Sequence, residues 1–99
     1  MEIGSWVVVR SSQSGVWCGK LTEVPKQAGE NFTVSLTEAR RAWSWTGATE
    51  AAGLAVAGPE VGSKITVATS ASLIGGCVEV HAASDKAVER WLAVPPWRA

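Results

Sequence analysis

Six tryptophans stand in a chain of 99 residues that has one phenylalanine and no tyrosine. A domain this short buries only about 60–68% of the surface its unfolded chain exposes, and an indole is the bulkiest ring a core must enclose. Such an interior has room for about two or three of them. The others must meet solvent, a ligand or another chain, so finding which ones do is the route from this sequence to a function.

The remaining composition is that of a single globular domain over residues 1–99: 46% hydrophobic, 18% charged, with nine Lys plus Arg against nine Asp plus Glu. A neutral chain has no field to steer it toward DNA, RNA or an anionic membrane, which argues against nucleic acid as the partner. No run approaches the roughly 18 apolar residues that cross a bilayer. The opening Met1-Glu2-Ile3-Gly4-Ser5-Trp6 lacks the basic start and apolar stretch of an export signal. No membrane association and a cytoplasmic location are therefore expected. Cys18 and Cys77 have no Cys or His at metal-ligand spacing and read as reduced, small, partly buried apolar residues.

A β-branched run at residues 6–10, bounded by Gly4-Ser5 and by Ser11-Ser12-Gln13-Ser14-Gly15, predicts a hairpin with an alternating return over residues 16–23. Residues 25–30 read as a polar loop. Residues 31–36 read as a third strand with Phe32, Val34 and Leu36 on one face. Residues 37–45 are ambiguous: Thr37-Glu38-Ala39-Arg40-Arg41 can open a helical turn, whereas Trp43-Ser44-Trp45 looks extended. Strand or irregular chain through Trp45, closed by Gly47, is the favoured reading. Thr49 is predicted to N-cap a helix over residues 50–57 that Gly58 and Pro59 end. Residues 64–69 and 73–81 read as strands, the second bulged at Gly75-Gly76. Ser84 then caps a helix over residues 85–92, with Asp85 in its first turn, an apolar stripe of Ala87, Val88, Trp91 and Leu92, and Pro95-Pro96 beyond its end. Connections this short leave no room for parallel crossovers. The order predicts an α+β fold, a small, strongly bent antiparallel sheet or SH3-like partial β-barrel with two short helices.

The densest functional signal is Arg40-Arg41-Ala42-Trp43-Ser44-Trp45. If extended, it sets Arg41, Trp43 and Trp45 on one face, neighbours roughly 7 Å apart; if helical, Arg41 and Trp45 still share a side. A cation beside flat aromatic surfaces suits a nucleotide: an indole stacks on a base for about 1–3 kcal/mol, and a guanidinium offers paired donors to phosphate. The competing reading divides Trp43 and Trp45 between core and interface, with the arginines lying over them to cover apolar surface. The turn Ser11-Ser12-Gln13-Ser14-Gly15 offers hydroxyls and amides to an anion, although hairpin punctuation explains it equally well. Ser14 and Gly15 join a site only if this turn lies beside the Arg-Trp segment, where the flanking Arg10 and Lys20 would add charge. The candidate ligand-binding set is therefore Arg40, Arg41, Trp43, Trp45, Ser14, Gly15 and Arg10.

An enzyme is harder to assemble. His81 is the only histidine and Asp85 the only aspartate, and neither cysteine has a recognisable base, so a catalytic triad or metal centre lacks components. Glu38 beside two arginines reads as an ion pair with a lowered pKa, poor preparation for a general base. Phosphate loops of the Walker or Rossmann kind are missing. The expectation is a binding protein, without metal or cofactor.

Met1-Glu2-Ile3-Gly4, Val8-Val9-Arg10, Ser14-Gly15-Val16, Gly19-Lys20-Leu21, the stretch Ala39-Arg40-Arg41-Ala42-Trp43-Ser44-Trp45-Thr46-Gly47-Ala48 and Leu54-Ala55-Val56 together resemble a family of uncharacterised small phage and prophage proteins. The resemblance runs to about Val56, and Ala-Arg-Arg-x-Trp-x-Trp is its most specific part. It implies a cytoplasmic phage accessory protein. By analogy alone, such proteins are similar in style to oligomeric sponges that sequester cyclic nucleotides or cyclic ADP-ribose isomers made by bacterial defence systems. The leading expectation is a homo-oligomer that binds a nucleotide-derived small molecule. The alternatives are a protein-interaction or structural module anchored by surplus indoles, Trp91 and Trp97 included, and a weak single-stranded nucleic-acid binder.

Overall fold

The computed structural model describes residues 1–47 and 50–97. Six strands and two helices follow in the order β1 (Trp6–Ser11), β2 (Gly15–Leu21), β3 (Lys26–Ala28), β4 (Asn31–Ser44), α1 (Ala51–Val56), β5 (Lys64–Ile65), β6 (Ser72–Ala82) and α2 (Asp85–Ala93). All pairings among these strands are antiparallel. β1 pairs with β2, β2 with β4, β4 with β6, and β6 returns to β1, so four strands close a barrel and β3 and β5 attach to β4 outside it. The fold is α+β with a small barrel, as the element order predicts, and its ring is complete.

Val7, Val8 and Val9 are all fully buried. Val7 and Val9 join Leu21, Val34, Leu36, Ala39, Ile74 and Cys77 in one core cluster, the barrel interior. Val8 points the other way, into a second cluster beneath the helices with Val16, Cys18, Leu54, Ala87 and Trp91. A strand covered on both faces reads as a continuous apolar run instead of an alternation, which accounts for three successive valines.

β4 is extended throughout its 14 residues, but not in one phase. Glu38, at φ 53, is the one non-glycine with positive φ among the described residues, and the register with β2 slips between Cys18 and Lys20. Val34 and Leu36 face the barrel interior before this bulge and Ala39 faces it afterwards, so inward positions change from even to odd. Gly19 lies opposite: a Cβ there would sit 3.1 Å from Ala39 Cα, Leu36 Cβ and the Thr37 carbonyl oxygen. A side chain there would require its neighbours to give by a few tenths of an ångström.

Three expectations need correction. Residues 25–30 include strand β3, because Lys26, Gln27 and Ala28 pair with Thr33, Phe32 and Asn31. Residues 64–69 are strand only at Lys64–Ile65: Thr66 turns its carbonyl to the Arg40 guanidinium (2.8 Å) and receives the Arg41 N–H on its hydroxyl (2.9 Å). The ladder stops there, and the chain rejoins β4 only at the Ala39–Thr69 bridge. The third concerns Trp91, while Trp6, Trp17 and Trp45 are partly buried against the two clusters. Trp91 alone is among the fully buried side chains, its Nε1 donating to the Leu54 carbonyl at 3.1 Å, so it is no anchor for another chain.

The helices lie close to their predicted spans. α1 starts after Glu50, whose side chain makes no capping bond; Thr49 lies outside the described residues. The Gly58 N–H closes α1 on the Leu54 carbonyl at 3.1 Å. Ser84 Oγ accepts the Ala87 N–H at 3.0 Å and so caps α2. Of the α2 stripe, Ala87 and Trp91 are buried, Val88 is half-buried and Leu92 is exposed. Gly75-Gly76 coincides with the predicted bulge, where the β4–β6 register slips between Phe32 and Val34.

Candidate functional site

Alternation along β4 separates two adjacent arginines, and the phase change at Glu38 sets which of them faces the helices. Arg40 shares its side of β4 with Ala42, which packs in the cluster beneath the helices, and is only 5% exposed. Its Nε donates to the Thr66 carbonyl at 2.8 Å and its Nη1 to the Trp91 carbonyl, while Nη2 is buried with no hydrogen-bond partner among the described residues. Cys18 stands opposite in the register. Burial pushes the Cys18 thiol up to about 12, against a smaller lowering by the Arg40 charge, and burial pulls the Arg40 pKa down. Arg40 thus ties β4 to the chain after β5 and to α2.

Arg41 projects from the other face, directly across from Trp17. Trp17 Nε1 donates to Ser14 Oγ at 3.0 Å, and a Cβ on Gly15 would lie 3.7 Å from Arg41 Nε. The β1–β2 turn and the Arg-Trp segment therefore adjoin. The turn's own amides are engaged: Gln13 and Ser14 each donate to Ser11 Oγ at 3.2 Å, and Ser12 donates to the Gly76 carbonyl at 2.9 Å. Arg41 Nε is buried and has no hydrogen-bond partner among the described residues, which leaves it as the unused donor at this corner.

Beyond it the site becomes aromatic. The Arg41 guanidinium carbon is 5.7 Å from the Trp43 ring centroid. Trp43 is 57% exposed and stacks on Trp97, with centroids 5.6 Å apart and planes 16° from parallel. The Lys64 ammonium stands 5.3 Å from the Trp97 centroid. Each cation is within reach of a ring quadrupole, and neither has a carboxylate within ion-pair distance among the described residues. Trp97 is brought here by its N–H, which donates to the Ile65 carbonyl at 2.7 Å, and by a bridge between Ile65 and Pro96.

Of the sequence candidates, Ser14, Gly15, Arg41 and Trp43 converge; Arg10, Arg40 and Trp45 do not join them. Trp45 packs against the cluster beneath the helices. Arg10 pairs with Val16, and Val16 with Ala42, which puts it on the sheet face opposite Arg41. Its guanidinium engages Glu79, which also bonds His81 at 2.9 Å. His81 first, and then Arg10, hold the Glu79 carboxyl below its usual range. Lys64 carried no signal in the sequence beyond its charge, because only the long-range pairing of Ser44 with Lys64 brings it to the stack.

Hollows elsewhere among the described residues include a larger one and a smaller, apolar one. One of about 860 Å³ is lined by Lys26, Thr33, Ser35, Ser72 and Leu73 among others. The second, about 300 Å³, is apolar and formed by Met1, Val24, Pro25, Phe32, Val78 and Val80. Among the described residues no three His, Cys, Asp or Glu side chains gather as a metal site, and no helix is long and apolar enough to cross a membrane.

No curated protein and no solved structure matches the chain. A family model does, over residues 4–91, a span that takes in the whole barrel, Arg41, Trp43 and Lys64 but not Trp97. With nearly the full domain matched, the chain belongs to the family described as a domain of unknown function, DUF6948.

Proposed function

We propose that this chain is a non-enzymatic binding protein whose Arg41–Trp43 face takes a nucleotide-derived small molecule. The observation that carries the reading is two cations, Arg41 and Lys64, with no carboxylate partner among the described residues, set against two stacked indoles on an exposed surface of a chain with no net charge. Positive charge concentrated at aromatic faces suits a flat, anionic guest: a base stacks on the ring and a phosphate accepts from the guanidinium. Ser14, beside Arg41, offers a hydroxyl to a sugar. Cyclic ADP-ribose isomers and cyclic dinucleotides combine these parts, and a phage-type accessory protein that holds them would act by sequestration against bacterial defence signalling, as a homo-oligomer in the host cytoplasm.

Isothermal titration with those two ligand classes tests the reading. A saturable heat is expected, and Trp43→Ala should weaken binding about tenfold, as the loss of one stack of about 1–3 kcal/mol, with thermal unfolding unchanged. Absence of heat across the panel at high protein concentration overturns it.

A second reading rests on the apolar hollow. Met1, Val24, Phe32 and Val78 are exposed there, and an apolar patch on a soluble domain marks a contact with another protein. Light scattering of Phe32→Asp against the parent chain tests it, since loss of a dimer would assign this face to self-association.

A further inference from the structure

We propose that Trp97 is a built-in competitor for the ligand face: it occupies the Trp43 ring in the absence of a guest and must leave for one to bind. This rests on the reading of Arg41 and Trp43 as a nucleotide site. Trp97 makes the contacts a bound base would make, a near-parallel stack on Trp43 and a cation, Lys64, over its own ring.

The strap that carries it is weakly held. Pro95 and Pro96 have no N–H, so among the described residues the strap's one backbone donor to β5 is Trp97, 2.7 Å from the Ile65 carbonyl, within the isolated Ile65–Pro96 bridge. One such hydrogen bond is a small net stabilisation once its competition with water is counted, and an aromatic stack adds a similar amount. Val94, at the strap's root, is buried, so release pivots between Val94 and Pro96 and leaves α2 in place. A guest that replaces Trp97 gains the freed face of Trp43 and the ammonium of Lys64 together. The Arg41 main chain stays in place, because its N–H is held by the Thr66 hydroxyl. Affinity is then reduced by the fraction of molecules whose strap is closed.

Stacked indoles give an exciton couplet in circular dichroism, which reports the Trp43–Trp97 pair without reference to any ligand. The parent chain, Trp97→Ala and Trp43→Ala are compared, each checked for an unchanged unfolding temperature. Both substitutions should abolish the couplet. Titrating the parent with cyclic ADP-ribose and cyclic di-AMP should erase it as the site fills, and Trp97→Ala should bind the same probe about tenfold more tightly, the reciprocal of the open fraction. If Trp97→Ala binds equally or more weakly, or the couplet survives at saturation, Trp97 is a wall of the site and the competitor proposal fails while the ligand face stands. If neither the parent nor Trp97→Ala binds either probe, both proposals fall.

Discussion

Arg40 and Arg41 are neighbours in sequence and have opposite surroundings. Arg40 is a buried cation that donates to two carbonyls and forms no ion pair among the described residues. Arg40→Ala leaves both carbonyls without a donor and opens a cavity, and urea unfolding should register a loss of about 2–4 kcal/mol. Arg41→Ala should remain within about 1 kcal/mol of the parent and act on ligand affinity instead. Alternation puts the two on opposite faces, but which one faces the helices is set by one left-handed residue, Glu38, whose carboxylate pairs with Lys20 at 3.2 Å on the surface. Cys18 gives a pH prediction of definite sign. Its thiol rises from 9.0 to about 12 on burial, so through that window the unfolded chain has released a proton that the folded chain keeps. Stability is whole below pH 9 and falls with alkali, by up to about 1.4 kcal/mol per pH unit. Denaturation midpoints of Cys18→Ala measured across the same window should fall less steeply than those of the parent.

Elements were legible where their signals are local. The Ser84 cap, the Ala87–Trp91 part of the α2 stripe and the β1–β2 turn each depend on residues within one helical turn or hairpin, and each lies where the sequence put it, whereas Leu92 at the stripe's edge is exposed. β3 was missed because Lys26-Gln27-Ala28 has no apolar face of its own and is extended only by virtue of β4 beside it. β5 was overextended because a threonine hydroxyl replaced a ladder carbonyl, a substitution that strand propensity does not register. Gly58 shows how one position answers to two elements. Its φ of +76 ends α1, and an added Cβ would stand 2.8 Å from Arg90 Cβ and 2.9 Å from the Ala87 carbonyl oxygen on α2. Gly58→Ala should therefore cost about 1–3 kcal/mol, measurable by thermal melting. A smaller loss would mean that α1 shifts away from α2 freely.

At the scale of the molecule, the class of fold was readable but its closure was not, because the β2–β4 and β4–β6 pairings join residues distant in sequence and leave no local mark. The same holds for the ligand face, whose Lys64 and Trp97 arrive from separate parts of the chain. Closure makes β1 the most protected strand, paired along both edges and covered on both faces. Amide exchange at Val7, Val8 and Val9 should proceed only by global unfolding, with one shared free energy, whereas the amides of the six-residue α1 should exchange faster. Exchange of β1 amides ahead of α1 would contradict that order. The wall formed by β1 also keeps the two thiols apart. Cys18 belongs to the compartment beneath the helices and Cys77 to the barrel interior, two strands apart in the sheet. The register sets Cys18 opposite Val8 and Cys77 opposite Ser11, an offset of about 10 Å along β1 alone, beyond the roughly 7 Å that a disulfide can span. An oxidant has no bridge to make while the ring is intact, so a Cys18–Cys77 crosslink recovered from a stressed sample would be a permanent record that the ring had once come apart.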